Sequence, residues 1–227
     1  MKLYWCRIAP WQRRPETARC FCRRAGIDLS AIWNEQDLAA HAAGRYLLSC
    51  AWGETFSNAP MPPITQIGEG KPAIANDVSF HWNISHAGNL AVCAVASVPV
   101  GVDVEEIVPV DADLWQRLPD AEQDWCRGES AAFFTLWTAK ESLVKSRGEG
   151  LSALLALPPL VCCGRVRHRV EDRQWRPVEI DSAYAAAVAA AELPPEIQTE
   201  EIQLPAEQDG ILISYRENQT DYSSISR

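Results

Sequence analysis

The chain has 227 residues, 47% of them hydrophobic, enough to bury a core as one large domain or two small lobes. Its formal net charge is −9 and its isoelectric point about 5.0, which argues against a general nucleic-acid or anionic-membrane binder, whose footprint is basic. No apolar run approaches the ~20 residues that cross a bilayer, and Met1 to Arg7 has too little apolar length for a signal peptide, so a cytoplasmic protein is expected.

The first expected element is a strand at Met1 to Ala9, followed by a basic helix beginning within Arg13 to Arg24. Leu38 to Trp52 reads as a helix, with Leu38, Tyr46, Leu48 and Trp52 among its larger apolar groups. Pro60-Met61-Pro62-Pro63 and Gly68-Glu69-Gly70-Lys71-Pro72 are punctuated as loops. His81 to Ile84 and Leu90 to Ala96 read as strands joined by a turn at Ser85-His86-Ala87-Gly88-Asn89. In the next strand Val98, Val100, Val102 and Val104 share one face, which leaves Gly101, Asp103 and Glu105 on the other.

Ala131 to Ser146 winds as a helix with Phe133, Leu136, Trp137, Leu143 and Val144 on one apolar arc, and Gly148 ends it. Strands are expected near Val166–Val170 and Val178–Ile180. Tyr184 to Ala191 is alanine-rich, and propensity alone favours helix there. From about Pro194 the chain turns acidic and polar, and Glu217 to Arg227 reads as a loose tail. None of the eight cysteines sits in a CxxC pair, and the histidines are not spaced with them for zinc. Free thiols are expected rather than a disulfide framework.

Several residues carry candidate chemistry. Asp103 and Glu105, two apart on a strand, point the same way and could reach one Mg²⁺; taken alone, such a pair is also an ordinary solvated strand face. Glu141 and Lys145 stand one helical turn apart, which is equally the commonest helix-stabilising surface pair. Lys140 falls inside the apolar arc, so it either snorkels out or meets an anion, a carboxylate cluster or a diphosphate. Ser85 and His86 in a polar turn could bind a phosphate oxygen or simply satisfy the turn. Lys71, between Gly70 and Pro72, is a rigidly presented cation or an ordinary exposed lysine. Arg45 is either a ligand anchor or part of a solvated face.

Order and spacing add to these. Val100-Gly101-Val102-Asp103-Val104-Glu105 is followed, about forty residues on, by Trp137-Thr138-Ala139-Lys140-Glu141-Ser142-Leu143-Val144-Lys145. Asn83-Ile84-Ser85-His86-Ala87-Gly88 and Gly70-Lys71-Pro72 precede them, and Gly148-Glu149-Gly150-Leu151-Ser152 follows. Together these motifs resemble the 4′-phosphopantetheinyl transferases of the larger, surfactin-synthetase-activating type. The likeness runs from about Leu38 to Ser152 and weakens towards Ala191.

The resemblance implies an α+β fold of two similar lobes in pseudo-two-fold relation, the active site between them. The lobes would be residues 1–99 and 100–195, with 196–227 a partly flexible extension. It implies transfer of phosphopantetheine from coenzyme A to a serine of an apo acyl, polyketide or peptidyl carrier protein, with Mg²⁺, by a monomer. Asp103, Glu105 and Glu122 match magnesium ligands, Asp120 or Asp124 being alternatives for the third. Glu141 matches a metal ligand or general base, and Lys145 a diphosphate-contacting lysine. Arg45, Lys71, Ser85 and His86 match positions that hold the nucleotide end, and Lys140 is grouped with the coenzyme A-binding residues. The basic residues that usually precede the arginine are replaced here by Leu29-Ser30-Ala31-Ile32, leaving Arg23 and Arg24 as the nearest cations. The same resemblance makes Tyr184 to Ala191 a strand. Two other readings are an inactive relative that binds coenzyme A or a carrier, and a magnesium-dependent nucleotide-diphosphate hydrolase.

Overall fold

The structure, a computed structural model, describes residues 1–206 except 30, 31, 33, 58, 60, 63, 66–72 and 75–78, with only the backbone described at 65, 73, 74 and 151. In chain order the elements are β1 (Lys2–Arg7), α1 (Ala9–Gln12), α2 (Pro15–Arg24), α3 (Glu35–Thr55), β2 (Ile64–Thr65), β3 (Ala73–Ile74), β4 (His81–Ala87), β5 (Leu90–Ala96) and β6 (Val100–Glu106). They continue with α4 (Ala112–Trp115), α5 (Asp120–Cys126), α6 (Ser130–Arg147), a 3₁₀ turn (Leu151–Ala156), β7 (Val161–Cys162), β8 (Arg165–Val166), β9 (Arg169–Val170), β10 (Arg173–Pro177), β11 (Tyr184–Ala190) and β12 (Gln198–Glu201). The expected loop at 68–72 and the tail at 217–227 lie outside the described residues.

Local chemistry sets the helix ends. Pro15 opens α2, and Arg23 and Arg24 close it where cations suit the helix dipole. Asn34 caps α3, its side chain accepting from the Asp37 amide at 2.8 Å. Gly148 ends α6 at φ +73°, a left-handed position that glycine adopts without a side-chain penalty.

The fold is mixed α+β, with two four-stranded sheets ordered β12-β1-β5-β4 and β6-β11-β10-β9. Alternation gives each sheet two buried faces. Tyr4, Cys6, Cys93 and Val95 face a core shared with α1, α2 and α3. Leu3, Val92 and Ala94 meet Val100, Val102, Val104, Ala186 and Val188 between the sheets. Ala185, Ala187 and Ala189 face a third core with Phe133, Leu136 and Leu143 of α6. The chain returns to the first sheet at its end: β12 lies parallel to β1, Leu204 is buried, and Trp11 Nε1 donates to the Pro205 carbonyl at 2.8 Å.

Two expectations are corrected. Ser85 and His86 are not in a turn, because β4 continues to Ala87 and pairs Ser85 with Val92 and His86 with Ala91. Gly88-Asn89 alone makes the turn, with Gly88 at φ +52°. The strand expected at Val178–Ile180 is instead β10, which ends at Pro177. The alanine-rich segment forms the strand that the resemblance implied, against its own helix propensity. As β11 it is held between β6 and β10, and tertiary pairing overrides an intrinsic preference.

The face of β6 that carries Gly101, Asp103 and Glu105 lies directly under α6. A Cβ on Gly101 would stand 1.9 Å from the Ser142 carbonyl oxygen and 2.5 Å from the Ser146 nitrogen. Both are helix backbone, so the clash cannot be relieved by a rotamer change. Gly101→Ala is expected to destabilise the protein by about 2–3 kcal/mol, read as a lower urea midpoint. An unchanged midpoint would show that α6 shifts without cost.

Candidate active site

A cleft of about 430 Å³ lies between β4, β6, α3 and α6. Strand β4 supplies both of its walls by alternation. Ser85 turns towards β6 and donates to Asp103 Oδ1 at 2.7 Å. Asn83 points the same way, its Oδ1 accepting from the Val102 amide at 2.7 Å, which ties β4 to β6. Trp82 and His86 turn to the opposite face, where α3 presents His41 and Arg45 one turn apart. The Arg45 guanidinium lies 5.3 Å from the Trp82 ring centroid.

On the other wall, β6 and α6 bring Asp103, Glu105 and Glu141 together, with one oxygen from each within 4.8 Å of the others. Lys145 reaches into the group. Its Nζ stands 2.5 Å from Asp103 Oδ1, 3.2 Å from Ser85 Oγ and 3.3 Å from Glu141 Oε2. Asp103 is 2% exposed, and its Oδ2 has no hydrogen-bond partner. Buried carboxylate oxygens are rarely left so.

The electrostatics follow from crowding. Burial, with Glu141 nearby, pushes Asp103 up to about 6 although Lys145 opposes the shift. Burial, Asp103 and Glu141 push Glu105 up to about 7. Burial pulls Lys145 down, but Asp103 and Glu141 outweigh it and raise the ammonium above its ordinary value. Across the cleft, burial and cationic neighbours (Lys145 for His86, Arg45 for His41) hold both imidazoles below the usual range. Arg45 Nη1 is buried without a partner. One wall therefore offers carboxylate oxygens short of positive charge, and the other offers cationic and neutral donors short of an acceptor. All-oxygen donors of this kind suit a hard divalent cation such as Mg²⁺, and the orphaned Asp103 oxygen agrees with such a fit.

Not every expected residue is here. Glu122 and Lys140 lie outside the cleft and bind each other: Lys140 Nζ is 3.1 Å from Glu122 Oε1, and their side chains are 3% and 0% exposed. Glu122 also accepts from the Leu160 amide at 2.5 Å. The expected metal ligand Glu122 and the expected cofactor residue Lys140 thus join α5 to α6 in the third core. Lys140 meets the anion that its place on the apolar arc required, and that anion is a carboxylate of this chain. Lys71 lies outside the described residues. His41, Trp82 and Asn83 carry no role in the sequence reading, because only the folded β4–α3 and β4–β6 contacts bring them into the cleft. All eight cysteines are free, and among the described residues no helix is long and apolar enough to cross a membrane.

Residues 99–189 match the family model of the 4′-phosphopantetheinyl transferase superfamily. The chain is 42% identical over 91 residues to the 4′-phosphopantetheinyl transferase psf-1 of Bacillus pumilus, covering 37% of this chain and 39% of that protein. It is 31% identical over 141 residues to the 4′-phosphopantetheinyl transferase Sfp of Bacillus subtilis (strain 168), covering 54% and 60%. To the 4′-phosphopantetheinyl transferase AcpT of Salmonella typhi it is 34% identical over 121 residues, covering 48% and 59%. The matches thus span between about two fifths and three fifths of these relatives' own lengths. Residues 99–189 are thus similar to this superfamily, as the motifs implied, and the wider similarity is to the transferases named above.

Two outcomes test the geometry. Lys140→Met should cost about 3–5 kcal/mol by stranding buried Glu122, and adding Glu122→Gln should restore most of it; equal losses in the single and double variants would show that the pair is not coupled. For Asp103 and Glu105 the folded values lie above the unfolded ones, so their contribution to stability is full below about pH 4 and is lost as pH rises to about 7. A cation relieves that repulsion, so the rise in Tm with added MgCl₂ should be larger at pH 8 than at pH 5.5. The same rise at both pH values would sink the carboxylate site.

Proposed function

We propose that this chain transfers the 4′-phosphopantetheine arm of coenzyme A to a serine of an apo carrier protein, releasing adenosine 3′,5′-bisphosphate. The observation that carries the proposal is the gathering of Asp103, Glu105 and Glu141 around Lys145, opposite a wall holding Arg45 and His86. That arrangement suits a substrate with a diphosphate at one end of the cleft and a further phosphate at the other.

Asp103, Glu105 and Glu141 would hold Mg²⁺, which supplies neutralisation of the diphosphate and of the charge on the departing phosphate. Arg45, whose Nη1 lacks a partner, and His86 would grip the nucleotide end. A phosphate near His41 and His86 would favour their protonated forms, adding charge only when the ligand is present. Lys145 would exchange part of its contact with Asp103 for a diphosphate oxygen, placing a fixed positive charge where negative charge develops. Glu141, at the cleft wall beside Lys145, would take the proton of the carrier serine. The serine Oγ forms a bond to the phosphorus that carries the pantetheine arm, and the bond from that phosphorus to the bridging oxygen breaks. The electron pair leaves with adenosine 3′,5′-bisphosphate.

The architecture supports two lobes in pseudo-two-fold relation, each a sheet with helices on its outer face, meeting between β5 and β6. Residues 1–99 and 100–195 are the proposed lobes. Residues 196–227 are the proposed extension, whose strand β12 pairs with β1 as the outermost strand of the first sheet. A cytoplasmic monomer serving an acyl, polyketide or peptidyl carrier completes the reading.

Incubating apo carriers with this protein, coenzyme A and MgCl₂ should add the mass of one phosphopantetheine arm. Omitting Mg²⁺ or introducing Asp103→Asn should abolish the gain, and Glu141→Gln should slow it by about 10²–10⁴-fold. Near-full turnover by Glu141→Gln would remove the base assignment. Free 4′-phosphopantetheine appearing without a carrier would mark a hydrolase instead.

A further inference from the structure

The hairpin β7–β8 presents Cys162 and Cys163 side by side, both exposed, their sulfur atoms 3.9 Å apart. Val161 pairs with Val166 and Cys162 with Arg165, so Cys163 and Gly164 form the turn, at φ +51° and +71°. Two-residue turns with both φ values positive favour Asn, Asp or Gly at the first position. A cysteine there is unfavourable, and nothing in its packing offsets it, because the side chain is exposed. The tight turn also fixes the two thiols relative to each other before any ligand arrives.

The spacing selects the chemistry. A tetrahedral centre with sulfur bonds of about 2.3 Å separates its sulfurs by about 3.8 Å, close to the distance found. A disulfide fits less well, because it needs Cα atoms roughly 4.4–6.8 Å apart, whereas neighbours across a trans peptide are held at about 3.8 Å. The hydrogen bond with Cys162 raises the Cys163 thiol above its ordinary value, and a positive centre bridging the two sulfurs would offset that. Beside the turn lies a cavity of about 770 Å³, which Cys163 shares with Trp125 and Ala132 and with the charged Asp124, Arg127 and Glu129. It leaves room for a substituent on whatever the sulfurs hold, with the Trp125 ring at one wall.

We propose that Cys162 and Cys163 form a two-thiol chelating site for a thiophilic centre, either a trivalent organoarsenical or a soft divalent cation. With an arsenical, two thiols replace two hydroxyl groups on arsenic: two As–S bonds form, two As–O bonds break, two waters leave, and arsenic stays trivalent. With a cation, two thiols bind and release two protons. The site shares no residue with the cleft around Asp103 and does not depend on the activity proposed for it.

The test uses the full reduced chain, with phenylarsine oxide in one arm and CdCl₂ in the other. Intact mass should show one phenylarsenic adduct per chain that survives excess monothiol and is removed by a dithiol. Cadmium should give a thiolate charge-transfer absorbance that saturates at one equivalent. Cys162→Ser or Cys163→Ser, both at exposed positions, should each weaken binding by about 10²–10⁴-fold through loss of chelation, while Cys20→Ser leaves it unchanged. Binding in only one arm supports the proposal and names the source. An adduct that persists in Cys162→Ser/Cys163→Ser, that monothiol removes, or that forms in neither arm would overturn it.

Discussion

Helix α6 rests on β6 at a distance that only a residue without Cβ permits, and the rest of the site depends on that contact. Gly101 faces the backbone of Ser142 and Ser146. Moving α6 outward by the width of a methyl group would take Glu141 and Lys145 away from Asp103 and Glu105. The small residues opposite serve the same end: Ala187 pairs with Asp103 and Ala189 with Gly101 on β11, so β11 presents only methyl groups beside them. Alanine, poor by propensity in a strand, is the residue that lets a helix lie this close.

Close packing forces like charges together, and the cleft is built around that cost. Burial above all, and then three carboxylates sharing space with one lysine, leave Asp103 and Glu105 harder to ionise than free acids. The opposite wall has the reverse excess, with an unpaired guanidinium nitrogen on Arg45 and two imidazoles held below their usual range by burial and cationic neighbours. Both imbalances are relieved by a cation on one side and a phosphorylated ligand on the other. In the neighbouring core Glu122 and Lys140 pair one carboxylate with one ammonium, so the charges match there although Glu122 Oε2 is also left without a partner.

That second pair shows how adjacent residues can be divided between roles. Lys140 and Glu141 are neighbours in sequence but project from α6 in different directions, Lys140 to α5 and Glu141 to the cleft. The Glu122–Lys140 bond and the Leu160 amide on the same carboxylate anchor the helix from which Glu141 and Lys145 extend. The pair holds α6 in place without touching the cleft.

Much was legible before folding. The alternation of Val100, Val102 and Val104 put Asp103 and Glu105 on one face, because side chains in a strand repeat every two residues. The helical spacing of Glu141 and Lys145, and the lysine misplaced on an apolar arc, were equally plain, since these patterns are local. Tertiary structure decided what depends on partners distant in sequence. Only cross-strand pairing shows that Ser85 and His86 extend β4 and face opposite ways, and only packing between β6 and β10 turns an alanine-rich run into a strand. Whether Lys140 meets a ligand or Glu122 was likewise open in the sequence, because an unpaired buried charge announces that it needs a counter-ion without saying where in the chain that counter-ion lies.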